Sequence, residues 1–314
     1  MSLMTNTAAM TALQSLTQTM QSLQTTQSHI STGHRVENAS DNAAYWSIAT
    51  TMHSDSMALS TVSDALNLGA TTLDVANNGL KSAIDVTSQI KQKLVAAAQP
   101  GVDRTKIQAD ITQLQKQLKS IADSAVFSGQ NWLSVDSGAT GYNATKSIVS
   151  SYQHDSAGAV SVGTIQVDTS KTKLFDPATG GAGAAGLLDK VDTSNTYMAG
   201  GTGVSIANMD ISALTDSSAD LAKLTALTKQ ADAGIASMTS AAADVGSAKS
   251  RVTLQQSFVS SLKDSIDKGV GALIDADMNA ESTKLQALQV QQQLGVQSLS
   301  IANQSSQAIL KLFG

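Results

Sequence analysis

Four histidines, His29, His34, His53 and His154, are the first side chains to weigh for chemistry, because imidazole can ligate a metal or carry a proton near neutral pH. They are scattered, and only Glu37 brings a glutamate carboxylate near any of them in sequence, so they do not form a ligand set of metal-site spacing. Asp275 and Asp277 come next, since paired carboxylates can divide the general acid and base roles. Two apart at a helix start they do not face each other, and capping or dipole roles suit them better. No serine lies in a Gly-x-Ser-x-Gly turn with a histidine to activate it. Cysteine is absent, which removes thiolate nucleophiles, disulfides and cysteine metal sites together. The reading is therefore no catalytic residue, no metal and no cofactor.

A chain without chemistry works through its surfaces, and composition narrows which ones. Net charge is -5 and the basic residues form no cluster, so a footprint for phosphate backbones is missing and nucleic-acid binding is excluded. No run approaches the ~18 apolar residues of a membrane span, and Met1 to Leu23 is too often interrupted by polar residues for a signal peptide. The expectation is a soluble chain that, if exported, uses a route without a cleavable signal. Aromatics are only 3% and proline occurs twice, a composition suited to long helices with slim packing layers.

From Tyr45 to Ala97 apolar positions recur with alternating spacings of three and four, through Tyr45, Ile48, Met52, Asp55, Leu59, Val62, Leu66 and on to Ile90, Leu94 and Ala97. That period predicts one long helix packed against others. Pro100 and Gly101 end it, and a shorter helix follows with Ile107, Ile111, Leu114, Leu118, Ile121 and Ala125, capped by Asp103. A second long stripe runs from Leu221 to Leu273. Each stripe is too narrow to be buried alone, which predicts a mainly α fold: a long antiparallel helical bundle or coiled coil formed by the N- and C-terminal halves. Eleven of the 22 glycines fall between residues 131 and 211, among them Gly180, Gly181, Gly183, Gly186, Gly200, Gly201 and Gly203. This stretch reads as a small β or irregular insert, with a hairpin pairing Lys146–Tyr152 and Val160–Val167 across Asp155–Gly158.

The two ends carry weaker seams, at Leu13, Leu16, Met20, Leu23, Gln27 and Ile30 and at Ile274, Met278, Leu285, Leu288, Leu299, Ile309 and Phe313, the second interrupted by Gln292, Gly295 and Ser306. Such seams do not hold an isolated helix, so the ends are expected to be poorly ordered until copies of the chain supply apolar surface. They are nearly uncharged: Arg35, Glu37 and Asp41 are the only charged side chains in the first 44 residues. In a homopolymer every copy presents the same charge to its neighbours, and like charges at ~4 Å cost several kcal/mol when partly desolvated. A lone Arg35 in so neutral a region points to a specific partner, and Arg35, Asn38 and Asp41 are expected to fix a connector within or between copies. Tyr45 and Trp46 read as packing anchors at the start of the long helix.

The string Ser31-Thr32-Gly33-His34-Arg35-Val36-Glu37-Asn38-Ala39-Ser40-Asp41-Asn42-Ala43-Ala44 closely resembles the bacterial flagellin signature. So does Ile274-Asp275-Ala276-Asp277-Met278-Asn279-Ala280-Glu281-Ser282, with its Gln-rich helix and the ending Ile309-Leu310-Lys311-Leu312-Phe313-Gly314. Ile107-Gln108-Ala109-Asp110-Ile111-Thr112-Gln113 and Phe127-Ser128-Gly129 complete a resemblance covering both ends, and Tyr45-Trp46-Ser47-Ile48-Ala49 looks like the compact flagellins of alphaproteobacteria. The resemblance implies a layered filament subunit for motility. Residues 1–31 with 275–314 would form an inner coiled coil and 32–44 a connector that includes Gly33, Arg35, Asn38, Asp41 and Asn42. Residues 45–130 with 212–274 would form a helical rod, and 131–211 an outer insert.

The implied partners are identical or paralogous subunits, the flagellar export apparatus and chaperone, and hook-associated and cap proteins, in an extracellular filament. A hook-associated junction protein is the nearest alternative. Several flagellins are recognised by an innate immune receptor through a segment resembling Arg-Val-Arg-Glu-Leu-Ala. Here Gln89–Ala96, with Lys91, Lys93 and Leu94, lacks the acidic residue and both arginines, which implies weak or absent signalling.

Overall fold

The structure is a computed structural model that describes residues 6–154, 159–177, 186–191 and 203–313, the side chains of 305–313 excepted. The expected hairpin turn at 155–158, the glycines at 180, 181, 183, 200 and 201, and the side chains of Ile309 and Phe313 lie outside the described residues. Five helices account for most of the chain: α1 (Thr7–Thr32), α2 (Ala43–Ala97), α3 (Arg104–Ser124), α4 (Ser218–Ile274) and α5 (Met278–Phe313). Between α3 and α4 stand β1 (Val126–Phe127), β2 (Gln130–Asn131), β3 (Thr145–His154) and β4 (Val160–Asp168). The fold is mainly α with a small β region in the middle, as the periodicities predict. Two compact units emerge, residues 1–57 with 262–314 and residues 58–261.

In the first unit α1 and α5 pair antiparallel. Asn6 donates to the Ala302 carbonyl at 3.0 Å, a Cβ at Gly295 would lie 3.2 Å from Leu16 Cδ1, and His29 Nδ1 lies 3.2 Å from Glu281 Oε1. Within one copy each seam supplies the other's apolar partner. The packed faces include the expected Leu16, Leu23, Ile30, Leu285, Leu288 and Leu299 and depart from the expected seams at Leu13, Met20, Gln27 and Met278. On α1 the less exposed positions are Ala9, Ala12, Leu16, Thr19, Leu23, Thr26 and Ile30, flanked by Ser22 and His29, while Leu13, Met20 and Gln27 are exposed. On α5 they are Glu281, Leu285, Leu288, Gln292, Gly295, Leu299 and Ala302, with Met278 exposed. The α5 set, and the α1 set apart from Ser22 and His29, keep a heptad rhythm. The reading followed bulky residues and so missed alanine, threonine, glutamine and glycine on the packed side. Gln292 and Gly295 do not interrupt the seam, and Gly295 is the notch that receives Leu16.

The second unit holds the main core. Along α2 the buried positions from Leu59 onward follow the predicted stripe, with Leu66, Leu73, Leu80, Ile90 and Leu94 fully enclosed. Each such side chain contributes about 1.5–3 kcal/mol of transfer free energy. Antiparallel α4 faces α2, as Lys91 with Asp232 (2.5 Å), Lys249 with Asp74, and Gln256 with Asn67 (2.9 Å) all hold one register. Asp103 caps α3 by accepting from the amides of Thr105 and Lys106.

The inserted segment is seated on these helices at glycines. A Cβ on Gly69 would fall 2.5 Å from Ile148, on Gly79 2.4 Å from Leu133, and on Gly234 2.4 Å from Ile206. Gln108 and Gln115 of α3 bond the backbone of Ile206, Met209 and Ile211, which explains why polar residues sit on a half-buried face. β3 and β4 form the expected antiparallel hairpin, irregular between Val149 and Ser151. β1 and β2 turn through Ser128 (φ 49) and Gly129 (φ 75), both left-handed, as a two-residue hairpin requires.

Candidate functional site

Buried Arg104 shows the device on which the chain relies. Its guanidinium donates to the Ala97 carbonyl at the end of α2 (2.9 Å), to the Leu214 carbonyl (3.4 Å) and to Asp216 Oδ1 (2.5 Å). Helices end in carbonyls without intrahelical partners, and a planar fork of donors satisfies several at once. The Arg104 guanidinium, with the Gly101 amide, holds the Asp216 carboxyl below the usual carboxylate range.

Arg35 does the same for α4. Gly33 ends α1 in the left-handed region (φ 77), its amide donating to the His29 carbonyl at 2.9 Å. The chain then runs antiparallel to the α4–α5 junction: the amides of Arg35 (2.7 Å) and Val36 (3.4 Å) donate to the Ile274 carbonyl, and Ala276 returns an amide bond to Gly33 (2.8 Å). Arg35 Nε donates to the Leu273 carbonyl at 3.2 Å and Nη2 to the Ala272 and Leu273 carbonyls at 3.1 Å each. These are terminal carbonyls of α4, where cations are favoured. The guanidinium also lies 5.9 Å from the Tyr45 ring centre.

Asp41 Oδ2 accepts from the Asn38 and Glu37 amides at 3.0 Å each, and these bonds hold its carboxyl below the ordinary range. Asn42 Oδ1 accepts from Ala44 (3.2 Å) and Tyr45 (3.1 Å) and so starts α2, and Asp277 Oδ1 accepts from Asn279 and Ala280 and starts α5. Val36 is buried. Of the connector residues, Gly33, Arg35, Asp41 and Asn42 meet in this arrangement through side chain or special backbone, and Asn38 enters through its backbone.

The histidines fall into place around the joint. His34 Nδ1 lies 3.2 Å from Asp275 Oδ1 and His29 from Glu281, so two of the four pair with carboxylates distant in sequence. His53 lines a cleft of about 400 Å³ with Trp46, Val36 and Val270. Asp275 and Asp277 are used in pairing and capping.

Tyr45, Trp46 and Ile48 are exposed, and the packed positions there are Ala49 and Ser56, so the stripe is offset by one residue from the expected Ile48 and Asp55. The misreading came from preferring large side chains, since Ser56 gains its place by donating to Asp267 at 2.7 Å. Along Gln89–Ala96, Leu94 is fully buried while Lys91 pairs with Asp232 and Lys93 with Asp110 (2.5 Å each).

Helices from both ends of one chain, joined by a hydrogen-bonded clamp and leaving apolar outer faces, define a structural protein built to associate. Residues 3–137 match the bacterial flagellin N-terminal helical region, and residues 228–313 match the bacterial flagellin C-terminal helical region. Flagellin C of Rhizobium meliloti (strain 1021) is 49% identical over 323 residues, spanning 99% of each chain. Flagellin B of Rhizobium meliloti is 41% identical over 398 residues, and the flagellin of Brucella melitensis biotype 1 is 42% identical over 313, each again with 99% of both chains covered. The chain belongs to the flagellin family and is a structural subunit of the bacterial flagellar filament. Nothing in these matches favours the junction-protein alternative.

Proposed function

We propose that the chain polymerises through the outer faces of its terminal helices, as a subunit that performs no catalysis. The observation that carries this is the apolar surface left after α1 and α5 pair: Met10, Leu13 and Met20 on one helix, Val290, Leu294 and Ile301 on the other, all exposed. Such patches on a soluble protein mark association sites. In the layering this supports, residues 1–31 with 275–314 form the inner coiled coil, 32–44 the connector, 45–130 with 212–274 the rod and 131–211 the outer insert. The polar, weakly charged flanks of the seams keep identical copies from repelling one another.

The partners that follow are further subunits, the export apparatus and its chaperone, and hook-associated and cap proteins, with the filament outside the cell. Replacing Leu13 and Met20 together by glutamine leaves the circular dichroism of the monomer unchanged and cuts seeded filament growth more than about tenfold, since each loses roughly 1.5–3 kcal/mol of burial. Filament yield equal to the parent's in a sedimentation assay sinks the reading.

Immune-receptor signalling is weak in the same account, because the lysines of Gln89–Ala96 are held in ion pairs and Leu94 is buried. A receptor-reporter cell assay checks this, and a strong response contradicts it.

A further inference from the structure

Two exposed apolar features of the chain carry opposite charge, and both stay open in the described residues. The first is a ridge on α4. Arg251, Leu254 and Phe258 follow one another at spacings of three and four and so share one face of the helix. Leu254 is 76% exposed and Phe258 59%. Arg251 is exposed too, and its side chain makes no ion pair or hydrogen bond among the described residues. The second is the cleft of about 400 Å³ at the connector, with apolar lining from Val36, Ala49, Val270 and Ile274, and Trp46, 39% exposed, as a wall. Its rim is acidic. Asp267 and Asp275 already bond Ser56 and His34, whereas the Glu37 side chain has no bond among the described residues.

We propose that the occupant of this cleft is a second copy of the chain, whose Leu254 and Phe258 enter against Trp46 while its Arg251 meets Glu37. This rests on the filament-subunit reading and adds the contact itself. A ridge and a cleft at different places on one molecule make a head-to-tail contact, and such contacts repeat without closing, which generates an open helical polymer. The cation on the ridge and the free carboxylate on the rim fix its orientation, because the reverse seating would bring Arg251 to apolar lining.

The test uses the full chain, seeded with filament fragments. Phe258→Ala raises the critical concentration for growth about tenfold or more, with the monomer's circular dichroism unchanged. Arg251→Glu and Glu37→Arg each raise it about fivefold, and the double reversal returns it to within about twofold of the parent. The chain has two tryptophans, and Trp132 is buried already, so in a Trp132→Phe background the emission reports Trp46 alone. It shifts to the blue on polymerisation of the parent, as Trp46 leaves water. Because cysteine is absent, Thr50→Cys with Leu254→Cys gives an oxidised ladder of linked subunits. Unchanged growth of Phe258→Ala, additive losses in the double reversal, or constant Trp46 emission overturns the contact while leaving the filament reading intact. A parent chain that forms no filament at all overturns that reading and this inference with it.

Discussion

Gly186→Ala destabilises the unit of residues 58–261 by about 3 kcal/mol, toward the upper end of what overpacking costs. A Cβ there would lie 2.4 Å from the Leu174 carbonyl oxygen and 2.6 Å from the Phe175 nitrogen, and backbone atoms cannot turn aside. Those atoms are also committed: the Leu174 carbonyl accepts from Leu188 at 3.0 Å, and the Leu174 and Phe175 amides donate to Leu133. Gly79→Ala is milder, about 1 kcal/mol, because its Cβ would meet the Leu133 side chain, which is fully buried yet has rotamers to try. Gly246→Ala has the opposite sign. Nothing lies within 4 Å of its Cβ, so it gains the ordinary helix preference of alanine over glycine, roughly 0.8–1.0 kcal/mol. Denaturant midpoints read by Trp132 fluorescence in a Trp46→Phe background separate the three. If Gly186→Ala tracks Gly246→Ala, the close packing of residues 186–188 on 173–175 is wrong.

These glycines show where sequence reading succeeds and stops. The long helices, the Pro100–Gly101 break, the Asp103 cap and the central hairpin were legible, because each follows from local periodicity or from one residue's backbone chemistry. Gly79 and Gly234 were invisible as notches. Inside a helix a glycine is a local cost, and the compensating partners, Leu133 and Ile206, lie about 54 and 28 residues away. The terminal seams were legible only at Leu16, Leu23, Ile30, Leu285, Leu288 and Leu299, for a related reason. Heptads built from alanine, threonine and glutamine carry little hydrophobic contrast, so the eye moves one position to Leu13, Met20 or Ile48. Those bulky residues are conspicuous because they are not used within one copy.

The connector was legible as a place and not as a mechanism. A lone arginine in a neutral stretch announces a partner, but the partner is three main-chain carbonyl contacts at the end of α4, and carbonyls have no sequence signature. Arg104 carries no such signal, since it stands among other charged residues near Asp103 and Lys106. The signal that could have found it is position: an arginine a few residues past a Pro-Gly helix stop lies close to free carbonyls.

Arg35→Ala accordingly removes a cap and not a surface charge, and its effect on assembly is large. Hydrogen bonds from a charged donor are worth about 1.5–3 kcal/mol, and exposure of the guanidinium places this set at the low end. Losing some 1.5–2 kcal/mol at a joint that every subunit must hold raises the critical concentration for filament growth about tenfold to thirtyfold. The amides of Val36 and Ala276, which bridge the connector to the α4–α5 junction, exchange faster with solvent in the same variant. Arg35→Lys separates the two contributions of the residue. A lysine keeps the positive charge at the end of α4 but not the fork that reaches Ala272 and Leu273 together, so it recovers less than half of the loss. Full recovery by lysine would mean that the helix dipole alone is being answered, and unchanged growth and exchange in Arg35→Ala would mean that the connector is held by its backbone bridge without the guanidinium.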